Sequence, residues 1–349
     1  MPGRPDIVLV SLGPTMGWRA ADQAFAEQVR AAGASCAVVT SRMGLAGKLR
    51  HWMAVTDVVE GLAARRAAGR EGRATIYSSV TAALLQPARS RVAVRFDGTA
   101  ALNRPGAGGL WQRRRERSVL GRATLLLPWS EAAAESAASV IGPGGPPAVI
   151  LPPPVPAASP PAPDAPDVVA YGGDPLKRGI DLLYAAWRQV RPPGGRLAVA
   201  GLERGEAMRR LHKAGVQEPP GAEWLGEVPR ERWLACVAGA RLFVNASRFE
   251  DWGLAQMEAL SAGTPLVTVP SGGGNVALGL ARTLAPELVA PERTVEALAT
   301  AMRAGLALEP SARSKYAEHA QRLLLPYREE ALRRRVAHEV LPRLLDSSS

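Results

Sequence analysis

The chain is poor in the residues that usually mark a metal or redox centre. Its 349 residues include two cysteines, Cys36 and Cys236, and four histidines, His51, His212, His319 and His338. Each cysteine stands in an apolar stretch, which reads as core packing and not as a disulfide or metal pair. No histidine and carboxylate group has metal-ligand spacing, and no Asp-x-Asp stands at a strand end. Walker, Gly-x-Ser-x-Gly and Cys-x-x-Cys motifs are absent as well. We therefore expect no bound metal. Aromatic residues make up only 5% of the chain, yet 47% is hydrophobic, enough for sizeable α/β cores. No apolar run reaches the roughly 18 residues of a membrane span. The opening Met1-Pro2-Gly3-Arg4 lacks a signal-peptide pattern, which gives a cytoplasmic expectation.

What is abundant is positive charge. The net charge of +11 favours anionic partners such as nucleotides, phosphorylated acceptors or acidic membrane surfaces, unless arginine serves here only for solubility. The cluster Arg113, Arg114, Arg115 and Arg117, flanked by Trp111 and Val119-Leu120, reads either as a basic helix in peripheral contact with the inner membrane face or as a solvated helix face. Nucleic acid is not expected, since no aromatic-basic motif accompanies the charge.

The length implies two domains. In the first half, short apolar runs at 7–10, 36–39, 75–77, 92–96, 124–127 and 149–151 alternate with helical patterns, one of them at 20–32. Continuous apolar runs between helices indicate parallel strands covered on both faces. A proline-rich stretch begins at Leu151-Pro152-Pro153-Pro154 and ends near Pro166, the composition of a semi-rigid linker. Afterwards the alternation restarts. Strands are expected at 168–171, 197–200, 242–244, 266–269 and 287–289. Helices are expected near 179–189, 205–214, 230–237, 253–261 and 294–306, with a long Arg/Glu-rich pair over 311–345. The expected layout is an amino-terminal domain at 1–152, a linker at 153–166, a second domain at 167–325, and a carboxyl-terminal helix at 326–349 returning to the first. Both domains are read as α/β, doubly wound parallel sheets facing an interdomain cleft.

The most informative segment runs from Arg248 to Pro265. Glu250 falls in the loop at a strand's carboxyl end, where open parallel sheets bind ligands. Glu258 falls in the following helix, its side chain leaning back toward the helix start. Between them the amides of Gly253 and Leu254 favour a phosphate, while the two carboxylates are bidentate acceptors for vicinal hydroxyls. A phosphate cradle with two hydroxyl-binding acids suits a sugar nucleotide.

Four segments in order carry a resemblance. They are Tyr171-Gly172-Gly173-Asp174-Pro175-Leu176-Lys177-Arg178-Gly179-Ile180-Asp181, Leu197-Ala198-Val199-Ala200-Gly201, Trp224-Leu225-Gly226, and the Glu250 to Glu258 element followed by Ala259-Leu260 and Gly263-Thr264-Pro265-Leu266-Val267. Together they resemble the donor-binding domain of GT-B glycosyltransferases of the retaining family 4 type, over about 168–289, with the amino-terminal half similar only in outline. The resemblance implies two Rossmann-like domains, no enzyme-bound cofactor, and a nucleotide diphosphate sugar as co-substrate. It implies retaining, metal-independent transfer of a hexose to an acceptor hydroxyl on a glycan, lipid-linked or small molecule. Glu250 would then bind hexose hydroxyls and Glu258 ribose hydroxyls. Gly253, Leu254, Gly172 and Gly173 would line the donor, and Lys177 or Arg178 would neutralise the departing diphosphate. Three departures stand out. Asp251 replaces a usual glycine beside the sugar, Trp252 replaces a smaller aromatic, and Gly173-Asp174 stands where the family carries an arginine.

In the first half, Gly13, Gly17 and Trp18 follow the first strand. They read as a loop that approaches a phosphate or acceptor ring, or as a tight turn over a buried tryptophan. Asp97 ends a later strand and is placed to take an acceptor proton or bind hydroxyls. The family's histidine near that point has no counterpart here. Ser130 matches a family serine or caps a helix. The glycine-rich Pro270 to Asn275 segment lacks the spacing of a dinucleotide fingerprint. Two rivals stay open on the same scaffold, a non-catalytic sugar-nucleotide binder and a sugar-nucleotide epimerase.

Overall fold

A computed structural model describes residues 4–13, 16–41, 53–69, 71–103 and 109–346. The chain divides into two compact units, Met1–Pro154 with Tyr327–Ser349, and Val155–Pro326.

The first unit contains β1 (Ile7–Ser11), α1 (Met16–Ala31), β2 (Cys36–Thr40), α2 (Met53–Ala67), β3 (Ala74–Tyr77), α3 (Val80–Ala83), β4 (Val92–Phe96), α4 (Ala100–Asn103), α5 (Leu110–Leu120), β5 (Leu125–Pro128) and α6 (Glu131–Ile141). Its five strands pair in parallel in the order β2-β1-β3-β4-β5. Alternate residues of β1 feed different cores: Val8 and Val10 face one side, Ile7 and Leu9 the other. That alternation follows from the period of two along a strand, and it requires helices on both faces.

The second unit contains β6 (Val168–Tyr171), α7 (Ile180–Val190), β7 (Leu197–Ala200), α8 (Arg204–Lys213), β8 (Ala222–Gly226), α9 (Arg230–Gly239), β9 (Leu242–Asn245), α10 (Leu254–Ala262), β10 (Leu266–Thr268), α11 (Val276–Leu284), α12 (Val295–Leu306) and α13 (Pro310–Leu323). Its strands are again all parallel, in the order β10-β9-β6-β7-β8. The tail then forms α14 (Glu329–Arg335) and α15 (Leu341–Leu345). Leu332, Val336, Val340, Leu341 and Leu344 of the tail complete the core beneath β1 and α1.

Two expected strands take other forms. Residues 149–151 run along β5 without joining it as a strand. Val149 and Leu151 donate to Leu126 and Pro128 at 2.9 and 2.7 Å, but the prolines at 146, 147, 152 and 153 break any longer ladder. Residues 286–288 form a short 3-10 turn, with Pro286 at its start. The first helix begins earlier than its apolar pattern indicates, so Gly17 lies in the first turn of α1. His51 lies outside the described residues.

Candidate functional site

Each sheet has one place where the strand order reverses. In the second unit it falls between β6 and β9, which are neighbours although two strands, β7 and β8, come between them in the chain. The loops leaving those two strands carry Lys177 and Arg178 on one side and Glu250 on the other.

These loops are locked together. Arg248 donates its backbone N–H to the Lys177 carbonyl at 2.9 Å. Its guanidinium forks onto Asp181 at the start of α7, with Nη1 to Oδ1 at 2.9 Å and Nη2 to Oδ2 at 2.6 Å. Nη1 also donates to the Leu176 carbonyl. Burial works to raise the Asp181 carboxyl, but the hydrogen bonds and charge of Arg248 outweigh it and leave it below the ordinary carboxylate value. Gly179 makes the close approach feasible. It has φ +68°, and a Cβ there would lie 1.8 Å from the Ala246 carbonyl oxygen.

Arg178 pairs with Glu250, both side chains being largely buried. The Arg178 guanidinium also lies 5.6 Å over the Tyr171 ring, which ends β6. Tyr171 packs edge-on against Trp233 of α9 at 6.0 Å. The Trp233 indole N–H donates to Glu258 Oε2 at 2.8 Å, and Arg230 donates to Glu258 Oε1 at 2.8 Å. A continuous series therefore joins the two acids through Arg178, Tyr171 and Trp233. Burial raises the Tyr171 phenol, with Arg178 opposing and Glu258 and Glu250 both adding to the rise. Both acids thus act on one ring.

Glycines shape this series. Side chains at Gly173 and Gly201 would strike the Tyr171 ring, with a Cβ 2.5 Å from its Oη and 2.4 Å from its Cε2 respectively. At Gly172 a Cβ would meet Trp224 at 2.6 Å. The arginine that the resemblance implies beside the first glycine would therefore have to displace the Tyr171 ring. Lys177 lies with its Nζ 5.6 Å over the Phe249 ring.

Gly253 has φ +83° and precedes the first turn of α10, so its conformation suits glycine and opens the helix start beside Leu254. Asp251 and Trp252 are buried in the loop. The glycine-rich segment that sequence reading leaves undecided has a definite role here. Glu250 donates its N–H to the Gly272 carbonyl at 2.9 Å, and Asn275 donates its N–H to the Glu250 carbonyl at 3.0 Å. Asn275 then caps α11 by accepting from Leu278 N–H at 3.1 Å. The segment is a clamp on the Glu250 backbone.

The first unit has its reversal between β1 and β3. A cavity of about 150 Å³ opens there, lined by Trp18, Ser79, Asp97 and, from α2 and α5, Asp57, Glu60, Gln112 and Glu116. Trp18 rests against Trp129 with ring centroids 4.7 Å apart. Gly13, with φ +52°, brings its carbonyl to Arg19 Nη1 at 3.0 Å. Gln112 donates to Asp57 at 3.1 Å, and both Glu116 oxygens accept from the Ala100 amide at 2.9 and 3.0 Å. Ser130 is a helix cap, accepting from the Ala133 amide at 3.1 Å. On β4 Arg95 is fully buried and pairs with Asp22 at 3.1 Å, its guanidinium 4.8 Å over the Trp129 ring. Burial lowers the Arg95 guanidinium to about 10, against the pull of Asp22 and Asp97.

Sequence reading missed Tyr171, Trp233, Arg230 and Arg248 in the second unit, and Asp57, Glu60, Gln112 and Glu116 in the first. Arg248 and Tyr171 left a trace, since Arg248 stands two residues before Glu250 and Tyr171 opens the segment that carries Lys177 and Arg178. Among the described residues no three His, Cys, Asp or Glu side chains are grouped to hold a metal ion.

Residues 165–307 match the family described as glycosyl transferases group 1. Over 109 residues, 31% of the chain, the sequence is 34% identical to the glycogen synthase of Thermus thermophilus; over 97 residues it is 33% identical to that of Halorhodospira halophila. The matched segments span 25% and 20% of those relatives' length. Among solved structures, sucrose-phosphate synthase from Thermosynechococcus elongatus superposes with a TM-score of 0.70 at 18% identity, covering 96% of this chain and 97% of that one. WaaG, a glycosyltransferase involved in lipopolysaccharide biosynthesis, gives 0.61 at 16%, covering 95% and 100%. Anabaena HepE in complex with UDP and glucose gives 0.64 at 14%, covering 95% and 97%. The two parallel-sheet domains are those of the GT-B glycosyltransferase fold.

Proposed function

We propose that this chain transfers a hexose from a nucleoside diphosphate sugar to an acceptor hydroxyl, with retention at the anomeric carbon and without a bound metal. The observation that carries the reading is the series from Glu250 through Arg178, Tyr171 and Trp233 to Glu258, at the reversal of the second sheet. With Arg230 on Glu258, it presents two acids and two cations where parallel sheets receive nucleotides. Each carboxylate has about four acceptor positions. Trp233 and Arg230 use two of those on Glu258, which leaves others for vicinal ribose hydroxyls. Glu250 accepts hexose hydroxyls once the diphosphate competes for Arg178. The amides at the Gly253–Leu254 helix start lie on the phosphate side. Asp251 and Trp252 shape the loop from within.

In the proposed step the bond from the anomeric carbon to the phosphate oxygen breaks, and the acceptor oxygen bonds to that carbon on the same face. The acceptor proton passes to the departing phosphate oxygen. Lys177 and Arg178 stabilise the charge that develops on the diphosphate, as preorganised cations do most effectively in a site shielded from water. The first unit takes the acceptor in the cavity beside Trp18 and Asp97. UDP- and GDP-sugars are the donors to test first, by thermal shift and by release of the free diphosphate. Stabilisation with turnover in the wild type, and loss of turnover in Glu250→Ala, supports the reading. Full turnover in Glu250→Ala and in Lys177→Ala/Arg178→Ala would reject it. A second reading, binding without catalysis, is favoured by the missing arginine at Gly173. It predicts stabilisation with no turnover of any donor.

A further inference from the structure

Among the described residues five large apolar side chains are exposed, and four of them lie on two helices, Val58 and Leu62 on α2 and Leu110 and Trp111 on α5. Trp111 is 39% exposed and Leu110 52%. An exposed tryptophan and three aliphatic residues gathered on two helices are more than the scattered single residues that surfaces ordinarily show.

Charge is sorted across the same two helices. Their acids, Asp57, Glu60 and Glu116, are all buried on the inner side, where they line the cavity. The exposed charged residues on α2 and α5 are all arginines, Arg65, Arg66, Arg114 and Arg117. Residues 58, 62, 65 and 66 recur at helical spacing, as do 110, 111, 114 and 117, so each helix carries apolar residues followed by arginines along one outer face. The Gln112 to Asp57 hydrogen bond ties the helices together, and Val58 and Trp111 are the chain neighbours of the bonded residues.

We propose that this outer face of α2 and α5 docks the protein on an anionic lipid surface. The chemistry selects that occupant. Arginines at the rim pair with anionic headgroups while their stems and the Trp111 ring settle at the interface, and Leu110, Val58 and Leu62 enter the acyl boundary. A nucleic-acid backbone would satisfy the arginines but leave four apolar side chains against phosphate and sugar. A second copy of the chain would cover the apolar residues but oppose arginine with arginine, on a protein of net charge +11. The inner faces of the same helices line the cavity, so docking holds that cavity next to the bilayer. The consequence that the acceptor is a membrane-borne amphiphile rests on the transferase reading, whereas the docking itself does not.

The test is cosedimentation of the full chain with vesicles of phosphatidylcholine, with and without about a third phosphatidylglycerol. Wild-type protein is expected to bind the anionic vesicles, weakly bind the neutral ones, and be released by salt. Each basic residue near such a surface strengthens binding roughly fivefold. Arg114→Glu/Arg117→Glu is therefore expected to weaken anionic binding by more than about twentyfold. Leu110→Ser/Trp111→Ser is expected to weaken it on both vesicle types. All four residues are exposed, so melting temperatures are expected to match the wild type. Absence of wild-type binding to anionic vesicles overturns the proposal, as does binding that neither variant reduces. So does a concentration-dependent dimer that the Leu110→Ser/Trp111→Ser variant abolishes, or binding to arbitrary DNA at least as tight as to vesicles. Donor thermal shifts run in parallel separate the two readings. Vesicle binding without any donor response leaves docking standing and rejects the transferase, and the reverse result rejects docking alone.

Discussion

Arg248 and Asp181 face each other in a two-point fork, at 2.9 and 2.6 Å, across the gap between the loop after β9 and the start of α7. The fork fixes the 174–179 loop from outside, so that Arg178 meets Glu250 on the inner side. Neither residue needs to touch a ligand to matter.

Replacing the fork tests this. Arg248→Lys keeps the charge but loses the planar bidentate geometry. It is expected to lower turnover at least tenfold while changing stability by no more than about 1 kcal/mol, because the pair is partly exposed. Steady-state kinetics and urea unfolding check both parts. Unchanged kcat would remove Arg248 from its positioning role.

Acid stability follows from the direction of the Asp181 shift. A carboxyl whose native pKa is depressed contributes stability that is complete above its unfolded value, about 4, and is lost as pH falls through the lower native value. Asp181→Asn is therefore expected to flatten the stability profile below about pH 4. Intrinsic fluorescence measured against urea at a series of pH values reads this directly. An acid limb as steep as the wild type's would contradict it.

Gly179 is a sharper test of the loop. An alanine there pays about 1–2 kcal/mol for its left-handed backbone and also meets the Ala246 carbonyl, 1.8 Å from where its Cβ would sit. Gly179→Ala is expected to lower the melting temperature by several degrees and to abolish donor stabilisation even where folding survives. A wild-type donor shift in this variant would show that the loop tolerates displacement.

In the first unit, Arg95→Met leaves Asp22 buried without its cation. Such a deletion costs about 3–5 kcal/mol, reduced here if Asp22 takes up a proton. Burial already raises the Asp22 carboxyl above its ordinary value, against Arg95 and Ser11. Arg95→Met/Asp22→Asn is expected to recover most of the loss. Equal destabilisation of the single and double variants, by urea midpoint, would mean that the arginine acts through packing on Phe25 and Trp129 alone.

Disruption of the aromatic bridge separates the two acids. Tyr171→Phe keeps the ring and is expected to retain donor binding. Tyr171→Ala removes the surface that lies under Arg178 and beside Trp233 and is expected to weaken donor binding about tenfold or more. Isothermal titration with the same nucleotide sugar compares them, and equal affinities would remove the ring from the site.

The sequence by itself determined what depends on near neighbours in the chain. Apolar runs of three to five residues between helical patterns specified parallel strands covered on both faces. Glu250, Gly253 and Glu258 specified a strand-to-helix turn with two acids, because backbone periodicity alone sets their spacing. Proline limited this legibility. Residues 149–151 carry a strand's apolar pattern without a strand's ladder, since their proline neighbours lack donors. Only the tertiary structure decided what comes together across the sheet order. Placing β9 beside β6 brings Arg178 to Glu250 and Arg248 to Asp181, pairs 72 and 67 residues apart. It makes Tyr171 and Trp233 the connection between the acids, and makes the Gly272 segment a clamp on Glu250. On α2 and α5 the acids turn inward while Arg65, Arg66, Arg114 and Arg117 lie exposed, a division that net charge alone conceals. Strand order and helix rotation come from long-range packing, and no local pattern encodes which strand will lie next to which.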